Sequence, residues 1–492
     1  MEDNLKHPLD KPDKSISRVG RNTFLLASSD IAVKFLVFLF FIISARHLGV
    51  NQFGVFSFAI GFVTLFIVIT DLGINLLITR EVARDYSLIK SQSSNIFSLK
   101  IILSLITIFI VLGVIFISKY PLSTVLVVSI IAVSVIFNAE WLFLNAIFQA
   151  LEKMYLIALS RFLYGILLVV GVLLLVFLKV HIIGYSMLYL GSIAVAFLVT
   201  YLIFYNKYSK IKLVFAFQSW SKILKQSIPF GLTAIFVTFY YWSGLTFLSA
   251  IKGNDAVGLY NASFRIALAL TFIPNAFSNA VFPLMSRCYS EHQKDTLKKI
   301  LHQIFKYMFL LALPMAILLT IYSEKIITLF YGNEFGPSGK SLKMLAWWIF
   351  FIYLNNILST SLFAVDAPQE VTKQSAIATV INLLLNIILI PKFSTIGLGI
   401  ALVVAEMFSF FYLIIQIIKR GYGSSRSEYL DLLYKSALAG IVLILSIFIF
   451  KNLFWLFTVV LSVVIYLSLL VVSRTLDKSD YLLLLQVIYS KK

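Results

Sequence analysis

The chain has 492 residues, of which 60% are hydrophobic and only 13% are charged, and its formal net charge at pH 7 is +19. Because soluble chains carry about 25% charged residues, this composition excludes an ordinary soluble domain and indicates a membrane protein. The single cysteine, Cys288, excludes a disulfide framework and a cysteine-based metal or redox motif.

The apolar runs predict an all-α polytopic membrane protein. A membrane-spanning helix needs about 20 mostly apolar residues, and about fourteen stretches of this kind follow one another along the chain. In chain order they are 24–45, 55–78, 97–118, 122–145, 156–178, 182–205, 227–250, 258–284, 303–322, 342–364, 372–391, 396–418, 434–450 and 453–473. No cleavable signal peptide is evident before the first of them.

The number of lysine and arginine residues is alternately high and low from one connection to the next. The even-numbered connections are rich in them, for example at Arg80 and Arg84, or at Lys222 and Lys225, whereas the odd-numbered ones carry single residues such as Arg46. The positive-inside rule therefore predicts a multi-pass protein of the plasma or inner membrane with both termini in the cytoplasm. This distribution accounts for the net charge without nucleic acid as a partner.

The connection Tyr331–Lys343 contains Gly339-Lys340-Ser341, the second half of a phosphate-binding P-loop. Glu334 stands where the first glycine should be, no strand precedes the loop, and the predicted orientation places it outside the cell. We therefore predict a bend and no ATP site. The expected protein has no bound cofactor, and H⁺ or Na⁺ are the candidate coupling ions.

Two glycine-containing connections recur at a nearly constant offset. Gly49 and Gly54 correspond to Gly253 and Gly258, and a later pair, Lys179 with Gly184, corresponds to Lys392 with Gly397. The recurrence predicts two six-helix halves of parallel topology, which is a plan typical of alternating-access transporters.

The predicted domains follow from this repeat. They are a cytoplasmic segment 1–23, a first lobe 24–206, a linker 207–226, a second lobe 227–418, a linker 419–433, two additional helices 434–473 and a tail 474–492.

Several motifs resemble those of polysaccharide flippases. They are "LGVNQFGVFSFA" from Leu48, "DLGIN" from Asp71, "REVAR" from Arg80 and "LFYGNEFGPS" from Leu329. The superfamily also contains multidrug exporters of the toxin-extrusion type and lipid II flippases. The resemblance implies the multidrug-exporter fold and a secondary transporter that moves an isoprenoid (pyro)phosphate-linked oligosaccharide from the cytoplasmic to the outer leaflet. It also implies three partners: the lipid-linked oligosaccharide, membrane lipids and a glycan-assembly polymerase or transferase.

Ionisable residues inside the spans are the candidate site residues, because charges at membrane depth usually face a cavity or a partner. Lys34, Arg161 and Arg265 are predicted to line a cationic cavity for phosphate and glycan. Arg265 is the strongest candidate because of its depth in its span. Two alternatives remain: Asp30, one turn before Lys34, could neutralise it, and Arg161 or, less readily, the deeper Arg265 could extend to the interface.

The acidic candidates for coupling or gating are Asp30, Asp71, Glu140 and Glu406. A buried carboxylate can carry a proton across the membrane, and Glu140 and Glu406 lie inside spans. A polar contact between helices is the alternative for both, and a helix-end role is the alternative for Asp71.

An organic-cation exporter of the same fold, coupled to H⁺ or Na⁺, is the alternative function. Such an exporter would need carboxylates in its cavity, whereas a pyrophosphate substrate needs cations. A membrane enzyme would show an acidic motif on a sizeable loop outside the membrane. The longest loops have only about 20 residues and lack one, so we predict that the protein is not an enzyme.

Overall fold

The computed structural model describes residues 12–208, 210–423, 425–473 and 475, without the side chains of 12–28 and of Arg426. The predicted segment 1–23 lies partly outside this description. All but one residue of the predicted tail 474–492 lies outside it as well.

The regular secondary structure of the described residues is helical throughout, so the predicted all-α class is confirmed. Twelve segments within it are long and apolar enough to cross a membrane. The helices are α1 Pro12–Asp71, α2 Ile74–Arg84, α3 Leu88–Ile117, α4 Leu122–Ala150, α5 Met154–Phe177, α6 Ile182–Lys207, α7 Phe217–Lys252, α8 Asn254–Leu270, α9 Phe272–Ser290, α10 Lys294–Ile321, α11 Ser323–Tyr331, α12 Gly339–Ala364, α13 Pro368–Lys419, α14 Arg426–Ile449 and α15 Trp455–Val472.

Helix α1 is a hairpin whose two arms meet at Gly49. The backbone of Gly49 leaves the helical region there, at φ 72° and ψ 175°. The ring centroid of Phe41 lies 6.4 Å from that of Phe53 and 6.3 Å from that of Phe56. On one continuous helix these rings would be about 20 Å apart, at 1.5 Å per residue. The chain therefore reverses at Gly49, where the sequence predicts a connection between two spans.

Helix α13 folds back in the same way at Ser394 (φ 51°, ψ −128°). The amide of Gln374 donates to the hydroxyl of Ser409 at 2.7 Å, and the Tyr412 hydroxyl donates to Glu370 at 2.7 Å. The two arms are therefore antiparallel neighbours. Two of the twelve candidate spans are thus hairpins, and the total of about fourteen crossings stays a prediction.

The other predicted spans have close counterparts, with two differences. The span predicted at 258–284 is interrupted between α8 and α9 at Thr271. Helix α7 begins at Phe217, inside the predicted linker 207–226. The connection that resembles a P-loop contains a short 3-10 helix, Asn333–Ser338, as a bend between helices requires.

The chain packs as two compact units. One comprises the residues up to Arg265 together with Asn386–Thr395, and the other comprises Ile266–Leu385 together with the chain from Ile396 onward. In the second unit the Tyr466 hydroxyl donates to the carbonyl of Leu310 at 2.9 Å and ties α15 to α10. The lobes predicted from the repeat stay a prediction, because packing in one state does not report which parts move together.

Within the first unit, the two repeated glycine motifs contact each other reciprocally. A Cβ at Gly54 would overlap the carbonyl of Asn254, and a Cβ at Gly258 would overlap the carbonyl of Val50. Asn51 donates to the carboxylate of Asp255 at 2.6 Å, and these two residues are 204 positions apart, which is the repeat offset itself. The motifs therefore pair around a local two-fold axis, in the manner of an isologous interface.

A second close approach lies at the other end of the same arm of α1. A Cβ at Gly73 (φ 85°) would overlap the carbonyl of Ser227, and a Cβ at Gly231 would lie 2.7 Å from the Gly73 nitrogen. Residues 50–73 therefore touch α8 at one end and α7 at the other through glycine contacts that leave no room for a side chain.

We expect Gly54→Ala to lower the free energy of unfolding by about 2 kcal/mol, because backbone atoms cannot move aside for the new methyl group. Gly113→Ala is the matched control in α3, where a Cβ would meet no atom within 4 Å. It should leave stability unchanged or slightly higher. Thermal unfolding of both purified variants in detergent checks this. Equal shifts would show that the Gly54 contact is not close-packed.

Candidate functional site

The predicted cation Arg265 lies on α8 and is surrounded by aromatic rings. Its guanidinium carbon is 3.4 Å from the ring centroid of Phe41 and 5.9 Å from that of Trp242. Its Nε–H donates to the amide oxygen of Asn261, one turn earlier, at 3.1 Å. Aromatic faces attract a planar cation, and this attraction strengthens where water is excluded.

Two tyrosines complete this group, which we call the Arg265 cluster: Arg265, Phe41, Trp242, Tyr164 and Tyr189. The hydroxyls of Tyr164 and Tyr189 are hydrogen-bonded to each other, and both interact electrostatically with Arg265. Trp141 packs against Tyr164 with ring centroids 5.4 Å apart. The cluster combines one cation, two hydroxyls and several ring faces inside the first unit.

Arg161 and Asp30 form an ion pair, in which Nη1 lies 2.6 Å from Oδ1. Both side chains are partly exposed, at 35% and 46%. Asp30 is thus bound by a cation on another helix, and the local alternative, in which it neutralises Lys34, is not the pairing that the structure has. Lys34 has an exposed side chain on the first arm of α1. Local spacing could not reveal a partner 131 positions away.

Asp71 holds a buried lysine that the sequence analysis did not single out. Lys100 is 0% exposed on α3, and its ammonium donates to Oδ1 of Asp71 at 3.1 Å, to Oδ1 of Asn75 at 3.2 Å and to the carbonyl of Thr70 at 3.2 Å. The carbonyl of Thr70 is available because α1 ends there and the last carbonyls of a helix lack intrahelical partners. Thr70 and the "DLGIN" run that follows it thus provide three acceptors for one ammonium group.

Glu140 faces this group from α4. Its side chain is 1% exposed, it interacts electrostatically with Lys100, and among the described residues neither carboxyl oxygen has a hydrogen-bond partner. We call Lys100, Asp71, Asn75 and Glu140 the Lys100 cluster. The sequence feature that could have identified Lys100 is that it is the one charged residue in the predicted span 97–118.

Glu406 lies in the second unit and has a partner. Its carboxylate accepts from the amide nitrogen of Asn355 at 2.6 Å, and the same amide donates to the Glu406 carbonyl at 2.9 Å. Asn356 donates to the amide oxygen of Asn275 at 2.8 Å. Glu406 therefore has the interhelix polar contact that the sequence left open. In the described part of the chain, no group of three His, Cys, Asp or Glu residues is placed to hold a metal ion.

The reciprocal glycine contact has a polar extension outside the spans. Tyr120, between α3 and α4, donates to Ser249 at 3.2 Å and stacks on Phe58 with centroids 4.8 Å apart. Ser249 donates in turn to the amide oxygen of Asn254 at 3.1 Å. Burial raises the pKa of Tyr120, so the hydroxyl stays a donor at neutral pH.

These features define a multi-pass helical membrane protein with internally repeated connections and charges held at membrane depth, which is the architecture of a transporter. The model of the family described as polysaccharide biosynthesis protein matches residues 19–289, more than half of the sequence, and the chain belongs to this family. The model described as MatE also matches residues 229–391.

Two similar proteins illustrate the range of the sequence similarity. The probable low-salt glycan biosynthesis flippase Agl15 of Haloferax volcanii is 24% identical over 163 residues, which cover 33% of this chain and 34% of that protein. The capsular polysaccharide biosynthesis protein CapF of Staphylococcus aureus is 22% identical over 325 residues, covering 63% of this chain and 79% of CapF.

Among solved structures, the lipid II flippase MurJ in its inward closed conformation superposes with a TM-score of 0.75 at 17% identity, over 92% of this chain and 100% of MurJ. The chain therefore has the fold of that structure. The match with Agl15, by contrast, spans only about a third of the length of Agl15, with a coverage of 34%.

We expect Asp71→Asn to lower the free energy of unfolding by about 3 kcal/mol, because it leaves the ammonium of Lys100 buried without a counter-ion. The matched control is Asp431→Asn, which breaks an exposed pair with Lys435 on α14 and should cost less than about 1 kcal/mol. Denaturant unfolding of both purified variants measures the difference. A small loss for Asp71→Asn would mean that Lys100 is not held by this carboxylate.

Proposed function

We propose that the protein is a flippase that moves an isoprenoid (pyro)phosphate-linked oligosaccharide from the cytoplasmic to the outer leaflet. The observation that carries this proposal is the Arg265 cluster, a guanidinium set among aromatic rings inside a membrane-spanning unit. A guanidinium binds phosphate through paired hydrogen bonds, and these are stronger where water is excluded. Aromatic faces offer apolar surface, and tyrosine hydroxyls offer polar ends, for the sugar rings behind the phosphate.

Charge supports an anionic substrate over an organic cation. A cation exporter needs carboxylates that are available to its substrate. In the first unit, Asp30 is bound by Arg161 and Asp71 is bound by Lys100. The exporter remains the second candidate because the MatE model matches residues 229–391.

The proposed transport cycle is alternating access. In the predicted orientation, with both termini in the cytoplasm of a plasma membrane, the contact of Gly54 with Gly258 lies at the outer face and that of Gly73 with Gly231 at the inner face. Release to the outer leaflet requires the first contact to open, and loading from the cytoplasmic leaflet requires the second. Both contacts are closed in the described structure.

Lys34 and Arg161 extend the proposed cationic path. The head group would displace Asp30 from Arg161, since a pyrophosphate offers more acceptor oxygens than one carboxylate. The proposed partners are the lipid-linked oligosaccharide, the surrounding lipids and the polymerase or transferase that consumes the flipped glycan.

We expect Arg265→Ala to slow flipping of a fluorescent isoprenoid-pyrophosphate oligosaccharide in proteoliposomes by roughly 10-fold to 100-fold, the equivalent of one charge-assisted hydrogen bond. Arg265→Lys keeps the charge but loses the fork, and it should recover only part of the rate. Arg84→Ala, which removes an exposed arginine at the end of α2, is the matched control and should flip at the wild-type rate. Wild-type flipping without any effect of Arg265→Ala would contradict the cationic cavity.

The access step has its own test. In a Cys288→Ser background, Asn51→Cys and Asp255→Cys are joined by a short reducible thiol cross-linker across the contact of Gly54 with Gly258. Cross-linking should abolish flipping, and reduction should restore it, because the outer contact can no longer open. The control pair is Asp431→Cys with Lys435→Cys on one exposed helix face, where cross-linking should change nothing. Full flipping by the cross-linked Asn51–Asp255 pair would show that this contact does not open.

A further inference from the structure

Glu140 is a buried acid whose surroundings do not stabilise its charged form. It is 1% exposed, and among the described residues neither of its oxygens accepts or donates a hydrogen bond. A buried carboxylate without hydrogen bonds is among the most costly groups that a protein can contain. Glu406, the other buried glutamate of the predicted site, accepts a hydrogen bond from Asn355 at 2.6 Å.

In the present conformation, Lys100 does not offset the free-energy cost of burying an ionised Glu140. An ammonium has three donors, and those of Lys100 have three acceptors in Asp71, Asn75 and the carbonyl of Thr70. The charges of Lys100 and Asp71 already cancel. An ionised Glu140 would therefore add an uncompensated negative charge, whereas the neutral acid leaves the whole cluster neutral.

Helices α1, α2, α3, α5 and α6 pack against α4, and among the described residues Lys100 is the charged group that interacts electrostatically with Glu140. On α1, Asp30 is bound to Arg161 and Lys34 is exposed, and on α2, Arg80 and Arg84 pair with Glu81. Helix α2 contributes the amide of Asn75. From α5, Arg161 is bound by Asp30, and Tyr164 is bound to Tyr189 of α6. Lys100 is accordingly the charged group whose position decides which form of Glu140 is stable.

The acceptors of Lys100 adjoin the contact of Gly73 with Gly231, which opens in the proposed transport cycle. Asp71 and Thr70 directly precede Leu72 and Gly73, and Gly73 packs against Ser227 and Gly231. If that contact separates, the end of α1 moves and Lys100 loses its acceptors. Glu140, which interacts electrostatically with Lys100, is then available to pair with it.

We propose that Glu140 is a proton-binding site, protonated while Lys100 is held by Asp71 and ionised when Lys100 is released to pair with it. The proton passes from the Glu140 carboxyl to water in the open state and is taken up from water again as the cluster closes. This inference rests on the proposed function for the opening of the contact between Gly73 and Gly231 and for its role as a coupling site. Protonation of Glu140 in the present conformation is independent of the substrate.

Infrared difference spectroscopy of the purified protein in lipid nanodiscs tests proton binding directly. Wild type should show the carbonyl band of a protonated carboxyl at neutral pH, Glu140→Gln should lose that band, and Glu140→Asp should shift it. Glu406→Gln is the matched control for the band and should keep it. Gln has the shape of the neutral acid, so Glu140→Gln should also unfold at the wild-type temperature. Persistence of the band in Glu140→Gln, or a wild type without it, overturns the proposal.

Coupling is measured as the ratio of flipping rates with and without a proton gradient across proteoliposomes. The wild-type ratio should exceed one, and the ratio for Glu140→Gln should fall to one. A wild type that flips with a ratio of one, or a Glu140→Gln variant that keeps the wild-type ratio, contradicts the coupling role. If wild type flips no lipid, the proposed function fails, and the infrared band alone decides whether Glu140 binds a proton.

Discussion

The cost of placing a charge in an apolar medium organises the interior of this protein. Three cations of the predicted spans have compensating partners: Arg161 has Asp30, Lys100 has the end of α1, and Arg265 has ring faces and the amide of Asn261. The three cations have different kinds of partner, and these partners differ in how readily a ligand can replace them. A carboxylate pair can be displaced by a stronger anion. Arg265 is the centre of the proposed phosphate site because its guanidinium lies among aromatic rings.

The same medium restricts the backbone. Helices satisfy their own peptide groups, so the chain can leave helical geometry only where turns, glycines or side chains replace the lost hydrogen bonds. At Thr70 the replacement is the ammonium of Lys100, which accounts for a fully buried lysine beside a helix end. The break that follows at Leu72 and Gly73 then permits the close approach to α7. One lysine thus binds the end of one helix and the side chains that flank the following turn.

Much of the fold could be predicted from the sequence, because long apolar runs and two repeated glycine motifs are local signals. The reversals at Gly49 and Ser394 lie where short polar connections separate two apolar runs. The pairing of charges could not be predicted, since it depends on which helices become neighbours. Local spacing offered Lys34 as one alternative partner of Asp30, whereas packing pairs Asp30 with Arg161. Lys100 was visible as the single charge of its span, but its role depends on Asp71 and Glu140, which come from other helices. Asn51 and Asp255 are separated by the repeat offset, but the sequence alone could not show that their side chains are in contact.

The central claim is that this chain moves a phosphate-headed glycolipid and not an organic cation. The most direct measurement places wild-type protein in two matched sets of proteoliposomes, one with a fluorescent isoprenoid-pyrophosphate oligosaccharide and one loaded with a fluorescent organic cation. We expect rapid movement of the glycolipid between leaflets and no extrusion of the cation above empty liposomes. Extrusion of the cation down a proton gradient, with a stationary glycolipid, would contradict it and establish the exporter.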